Sequence, residues 1–153
     1  MNISREIIDY WTRFQKEHGV TQSFVSAWSF GDNPELADEL LELVLTGNKR
    51  GTATLVVELE RTGEKMPEVG DYNIILSGKG KPSAIIRTTS VEIKPFNEVE
   101  EAFAYSEGED DRTLESWRRE HWKYWTRVGL KLGFAMKEDL PVVCENFELI
   151  HQG

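Results

Sequence analysis

YNIILSGKGKPSAIIRTTSVEI, residues 72–93, decides the fold. Its first five residues are mostly aliphatic and predict a strand over 72–76. SGKGKP, residues 77–82, combines two glycines with a proline and predicts a turn. Residues 83–93 are rich in isoleucine, threonine and valine and predict a long strand. The middle of the chain is therefore β-rich and antiparallel.

Working outward from this stretch, MPEVGD (66–71) is a loop that feeds the hairpin. TATLVVE (52–58) is a further strand, followed by a turn at Gly63. Upstream, Ile7, Ile8, Trp11 and Phe14 recur at helical spacing in 4–18, and Gly19 is a stop. Residues 20–33 are a loop or a short extended piece. Asn33 caps a second helix with Pro34 at its first position. Leu36, Leu40, Leu43 and Val44 form its buried stripe, and Gly47 ends it. Downstream, a short helix covers 97–105. A longer one, capped by Thr113, covers 114–130 and lines up Leu114, Trp117, His121, Trp125 and Val128. Residues 141–150 close the pattern as a strand carrying Val143, Phe147 and Leu149. Helices at both ends of a run of strands mean α+β, not the alternation of a doubly wound sheet. Short antiparallel strands with glycine-rich turns point to a small β-barrel flanked by helices.

A chain of 153 residues fits one domain with a real hydrophobic core. With 39% hydrophobic and 29% charged residues it is neither disordered nor membrane-spanning. MNISREIIDYW at the start has early acids and no apolar run, unlike a signal peptide. Cys144 is the single cysteine, so no intramolecular disulfide forms and a cytoplasmic location is expected. Net charge is −9, which argues against a protein that grips double-stranded DNA by its phosphates. A small anionic or nucleoside ligand in a local basic pocket is compatible with it. Residues 72–91 contain three bases and no acid, and 98–111 contain seven acids and no base. A basic side and an acidic side are expected.

No Walker A, GxGxxG, HExxH or GxSxG pattern occurs, and His18, His121 and His151 lack zinc spacing. Cys144 in VVC is a small core residue. The acidic run is a solvated face, and His121 is a hydrogen-bonded histidine beside the core. GNKRGTAT, residues 47–54, carries more. Lys49 and Arg50 follow a helix C-terminus, where the dipole favours bases. A catalytic lysine here needs a hydroxyl and a carboxylate nearby, and a pocket that lowers its pKa.

The chain resembles the ASCH-domain family, relatives of the PUA RNA-binding fold, in its bacterial branch of about this length. The resemblance rests on WSFGD (28–32), ADELLELVLTG (37–47), GNKRGTAT and PEVGD (67–71). It continues through IIRTTSVEIKPFNEV (85–99), AYSEGEDDRTLESWRREH (104–121) and VVCENFELI (142–150). It implies a PUA-like barrel with a cleft between barrel and helices. Residues 1–24 are then an N-terminal helical extension and 25–153 the ASCH domain. Family members are described as RNA-associated. A small relative hydrolyses the acetyl amide of N4-acetylcytidine with lysine, threonine and glutamate. Its K-x-x-T pattern falls on Lys49 and Thr52, and its A-x-x-E pattern on Ala104 and Glu107. A threonine follows the lysine in that relative; Arg50 stands there here, which bears on substrate preference.

The resemblance thus implies an amidohydrolase in which Lys49 is nucleophile or base. Thr52 is the attacking hydroxyl or an oxyanion donor, and Glu107 moves the proton or holds the lysine. Trp28 and Phe30 offer a surface for a base, Arg87 a contact to phosphate or base edge, and Arg50 and His121 further substrate contacts. No cofactor is required. Two alternatives stand beside this one: a ribonuclease on single-stranded RNA and a non-catalytic RNA-binding module. The ribonuclease would take a divalent ion on Glu107, Glu109 and Asp110. The expected partner is a nucleoside or a short single-stranded RNA, not a membrane.

Overall fold

The computed structural model describes residues 4–153. The chain runs α1 (Arg5–His18), β1 (Ser26–Trp28), α2 (Pro34–Leu45), β2 (Gly51–Leu55), α3 (Val56–Thr62), β3 (Tyr72–Leu76) and β4 (Pro82–Pro95). A 3-10 turn, Phe96–Glu98, leads on to α4 (Glu101–Glu107), α5 (Leu114–Leu132) and β5 (Pro141–Gln152). Residues 1–3, part of the proposed N-terminal extension and of the segment read against a signal peptide, lie outside the described residues.

Local chemistry sets the helix ends. The Ser4 side chain accepts from the Ile7 amide at the start of α1. Asn33 accepts from Leu36 at the start of α2, where Pro34 is the first residue. Thr113 accepts from Ser116 at the start of α5. Residues 56–58, predicted as strand, instead open α3. Two adjacent valines read as β, but the Glu58 carboxylate accepts from the Leu55 amide at 2.9 Å and caps a seven-residue helix. A helix that short shows no periodicity in sequence.

The sheet has the order β1-β3-β4-β5-β2. β1 lies parallel to β3, and all other pairs are antiparallel. β4 and β5 pair from Ala84↔Gln152 to Pro95↔Pro141 and form its spine. The sheet curls into a half-barrel. The expected barrel is thus not closed: β1 and β2 are the two edges. β1 has only three residues and gives way at once to the approach to α2.

Alternation along the strands assigns the faces. On one, Ile75, Ala84, Ile86 and Phe147 meet Phe30 and the α2 residues Leu40, Leu41 and Val44. On the other, Ala27, Ile74 and Ile85 meet α1 through Ile7, Tyr10, Trp11 and Phe14. That face continues as Ala53, Leu55, Val142 and Cys144 against Phe96, Trp117 and Trp125. Cys144 is the core residue expected, and burial pushes its thiol up to about 12.

Candidate functional site

Lys49 lies between α2 and β2, and its side chain is 1% exposed. Its ammonium donates to Glu107 Oε1 at 3.1 Å, to Glu109 Oε2 at 2.7 Å and to the Glu107 carbonyl at 3.3 Å. All three protons are therefore used. The Phe30 ring centre lies 5.3 Å from Nζ. Two backbone hydrogen bonds fix the approach: Lys49 N to Leu43 O, and Arg50 N to Ser106 O at 2.6 Å. Gly51 lets β2 pass against α4, since a Cβ there would stand 2.7 Å from Ser106 Oγ.

Glu107, the last residue of α4, is 2% exposed. Its Oε2 accepts from Trp117 Nε1 and lies 3.2 Å from His121 Nε2. The His121 ring stacks on Trp117, with centroids 4.2 Å apart. Glu109 is the open edge of the group, with a side chain 31% exposed. The acidic run is thus not a solvated face throughout. Asp110 and Asp111 are exposed, but Glu107 is turned inward by the Gly108 C-cap of α4.

The charges decide the protonation pattern. Burial pulls the Lys49 pKa down, but Glu107 and Glu109 outweigh it and hold it above its usual value. The lowered lysine pKa that a resting nucleophile needs is therefore not found; Lys49 rests as an ammonium. Burial would raise the Glu107 carboxyl, yet Lys49, His121 and the Trp117 hydrogen bond hold it well below the carboxylate range. Glu109 is pushed up, by burial first and by the Glu107 charge next. His121 is raised: burial opposes its charge and Glu107 more than compensates.

A prediction follows from His121. A raised folded-state pKa means that its protonated form stabilises the fold fully below about pH 6.5 and that this contribution fades as pH rises through the raised value. Melting temperatures across about pH 6 to 9 are expected to fall more steeply for the wild type than for His121→Gln. Parallel curves would refute the pairing.

One oxygen or nitrogen each from Glu107, Glu109 and His121 lie within 4.8 Å of one another, a spacing that suits a metal ion. The donor set does not fit one, because the Lys49 ammonium already sits on both carboxylates. A divalent cation there would face a like charge at ligand distance. Asp110, the third acid expected for an ion, pairs with Arg119 at 3.2 Å instead.

Thr52 stands on the α2 face of β2, across from Glu145 of β5. Its hydroxyl makes no hydrogen bond among the described residues, so Lys49 and Glu107 are brought together without it. Phe30 is 4% exposed and lies stacked over Phe147, so it is core and not a platform. Trp28 is half-buried, edge-on to Phe30, and donates to Asn73 Oδ1 at 3.1 Å. Arg50 has one guanidinium nitrogen, Nη1, buried without a partner among the described residues. Arg87 points to the other face of the sheet, exposed, near Glu148 at 3.7 Å.

The α2 face also carries buried polar groups that the sequence reading did not single out: Asp71, Asn73, Thr88 and Glu145. For Glu145 a signal existed. Val143, Phe147 and Leu149 alternate inward along β5, and Glu145 shares their register.

The comparisons agree with this architecture. The model of the ASCH domain matches residues 26–151. The crystal structure of protein EF3133 from Enterococcus faecalis V583 is similar, with TM-score 0.89 and 34% identity over 95% of this chain and 88% of that one. The ASCH domain from Lactobacillus crispatus JV V101 superposes with TM-score 0.82 at 33% identity, over 94% of this chain and 91% of that one. Hypothetical protein PH0355 shares the fold alone: TM-score 0.52 and 18% identity over 82% of this chain and 98% of that one. No curated protein matches significantly. α1 lies before the matched span, packed on the same sheet. With the motif-bearing segments on a half-barrel that superposes on a crystallised ASCH domain, the chain belongs to the ASCH-domain family.

Proposed function

We propose that this protein hydrolyses the acyl amide of a modified nucleoside of the N4-acetylcytidine kind, free or in short single-stranded RNA. The observation that carries this is the dry Lys49 ammonium held between two carboxylates whose pKa values are pushed in opposite directions. Such a pair separates into an ion that stays charged and one that accepts a proton. Glu107, fixed by Trp117 and His121, is the permanent counter-ion that positions the lysine. Glu109, partly exposed and 2.7 Å from Nζ, takes the lysine proton when substrate enters.

The neutral amine then serves as the base. It takes a proton from a water whose oxygen attacks the acetyl carbon, while the Thr52 hydroxyl donates to the carbonyl oxygen as negative charge builds there. The bond from carbon to N4 breaks, and Lys49 delivers its proton to N4. Cytidine and acetic acid leave. The acid loses its proton to solvent, and Glu109 returns its own to Lys49. The free Thr52 hydroxyl supports the donor role, and the Phe30 ring that lies under Nζ belongs to the face on which Thr52 stands.

Incubation with N4-acetylcytidine, followed by chromatography for cytidine, tests this. Wild type is expected to release cytidine with and without EDTA. Lys49→Ala is expected to lose about 1,000-fold or more, within the range of one acid–base group. Thr52→Val is expected to lose about 100-fold in kcat with KM little changed, as for an oxyanion donor. No cytidine from wild type would overturn the proposal. Cleavage of single-stranded RNA that EDTA abolishes would favour a ribonuclease in its place.

A further inference from the structure

A polar row crosses the otherwise apolar α2 face. Asp71, just before β3, accepts from the Thr88 amide of β4, the Thr88 hydroxyl donates to Glu145 of β5, and Thr52 stands opposite Glu145 on the edge strand. Glu145 is 8% exposed. Its Oε2 accepts from the Thr88 hydroxyl at 2.6 Å. Its other oxygen has no hydrogen-bond partner among the described residues. Among the described residues no lysine or arginine pairs with it, whereas most buried carboxylates are paired with a cation. A glutamate in the core register with one oxygen uncommitted asks for a ligand.

We propose that Glu145 is the residue that reads the base: Oε1 donates to the ring nitrogen of a cytosine-type edge, and Oε2 accepts the neighbouring exocyclic N–H. This rests on the proposed nucleoside-directed function and names the pattern that the site recognises. The chemistry needs the carboxyl in its neutral form, which offers one donor and one acceptor side by side. Burial, with the Asp71 charge as a lesser cause, holds the Glu145 carboxyl above its usual range. Thr88 fixes which oxygen is the acceptor, because its hydroxyl donates to Oε2 and leaves the proton to Oε1. With no lysine or arginine paired to it among the described residues, the row offers a phosphate no counter-charge. It suits a neutral heterocycle rather than the nucleic-acid backbone. Position completes the argument. A base held by its exocyclic N–H on Glu145 brings that amide beside Thr52, its cross-strand neighbour.

The test is calorimetric titration with cytidine, which binds without turnover, and with 2-pyrimidinone riboside, which lacks the exocyclic amine. Wild type is expected to prefer cytidine by about tenfold or more, because the missing N–H removes a hydrogen bond to a buried carboxyl oxygen. Glu145→Gln keeps one donor and one acceptor and is expected to stay within about threefold for cytidine. Glu145→Ala is expected to lose about tenfold or more for cytidine and to treat the two ligands alike. Far-UV circular dichroism and a melting curve establish that each variant is folded. A folded Glu145→Ala that binds cytidine as wild type does overturns this inference and leaves the hydrolase proposal standing. Wild type that binds no cytidine also overturns it, and release of cytidine from N4-acetylcytidine then tells whether the hydrolase proposal falls too.

Discussion

Replacing Lys49 with methionine is expected to lower the stability by about 3–5 kcal/mol, the range for breaking a buried ion pair by removing one partner. The substitution leaves the Glu107 and Glu109 carboxylates without the ammonium that lies 3.1 and 2.7 Å from them. His121, at 3.2 Å from Glu107, and the Trp117 hydrogen bond remain. The loss comes from the two acids left behind, so it should depend on pH. Without Lys49, the largest of the interactions that hold Glu107 below the carboxylate range is gone. Protonation then relieves the strain, and the deficit shrinks as pH falls. Urea unfolding at about pH 7.5 and about pH 5 checks this. The triple variant Lys49→Met, Glu107→Gln, Glu109→Gln is expected to recover most of the loss, because amides carry no charge to desolvate. A deficit equal at both pH values, and unrelieved by the amides, would show that Lys49 matters by its packing alone.

Gly108→Ala is expected to cost about 3 kcal/mol, combining a left-handed conformation with overpacking. Gly108 adopts φ +70, and a Cβ there would stand 2.1 Å from the Asn48 carbonyl oxygen and 3.0 Å from Lys49 Cα. Those are backbone atoms, so neither can swing aside. The end of α4 would have to retreat, and with it Glu107 and Glu109 on either side. Gly63→Ala is the control. Gly63 also has a positive φ, +75, but nothing lies within 4 Å, so only the conformational cost of about 1 kcal/mol remains. Chemical denaturation of both variants separates the two terms. Cytidine release should suffer in Gly108→Ala beyond the loss of folded protein, because a retreating α4 end moves Glu107 and Glu109 from their places 3.1 and 2.7 Å from Lys49 Nζ.

The residues that made the fold legible carry local chemistry. Asn33-Pro34, Thr113 and the SGKGKP turn mark element ends by hydrogen bonds or fixed dihedrals within a few residues, and those ends fell where expected. α3 was hidden because Val56 and Val57 favour strand and seven residues give no period. The open edge of the sheet was also hidden, since nothing in a strand's own residues says which strand it will fail to meet. For the site, the resemblance brought Lys49 and Glu107 forward, and the structure places them in contact. Their protonation was not legible. It depends on Glu109 and His121, which reach the pair from a loop and from the middle of α5. Glu145 is legible by alternation alone, since it shares the register of Val143, Phe147 and Leu149.

The edge position of β2 also orders events during synthesis. β2 pairs only with β5, and Asn146 donates to the Arg50 carbonyl from 96 residues away. Glu107 reaches Lys49 across 58 residues. A nascent chain that has emerged as far as α4 holds both members of the ion pair and the Ser106 carbonyl that accepts from Arg50, yet β2 still has no strand to pair with. Contacts this distant in sequence form late, because the intervening loop must be closed first. While the ribosome holds the chain short of β5, the strand that follows Lys49 is expected to stay unpaired. The docking of β5 is thus expected to be the step that brings Glu145 opposite Thr52 and completes the sheet.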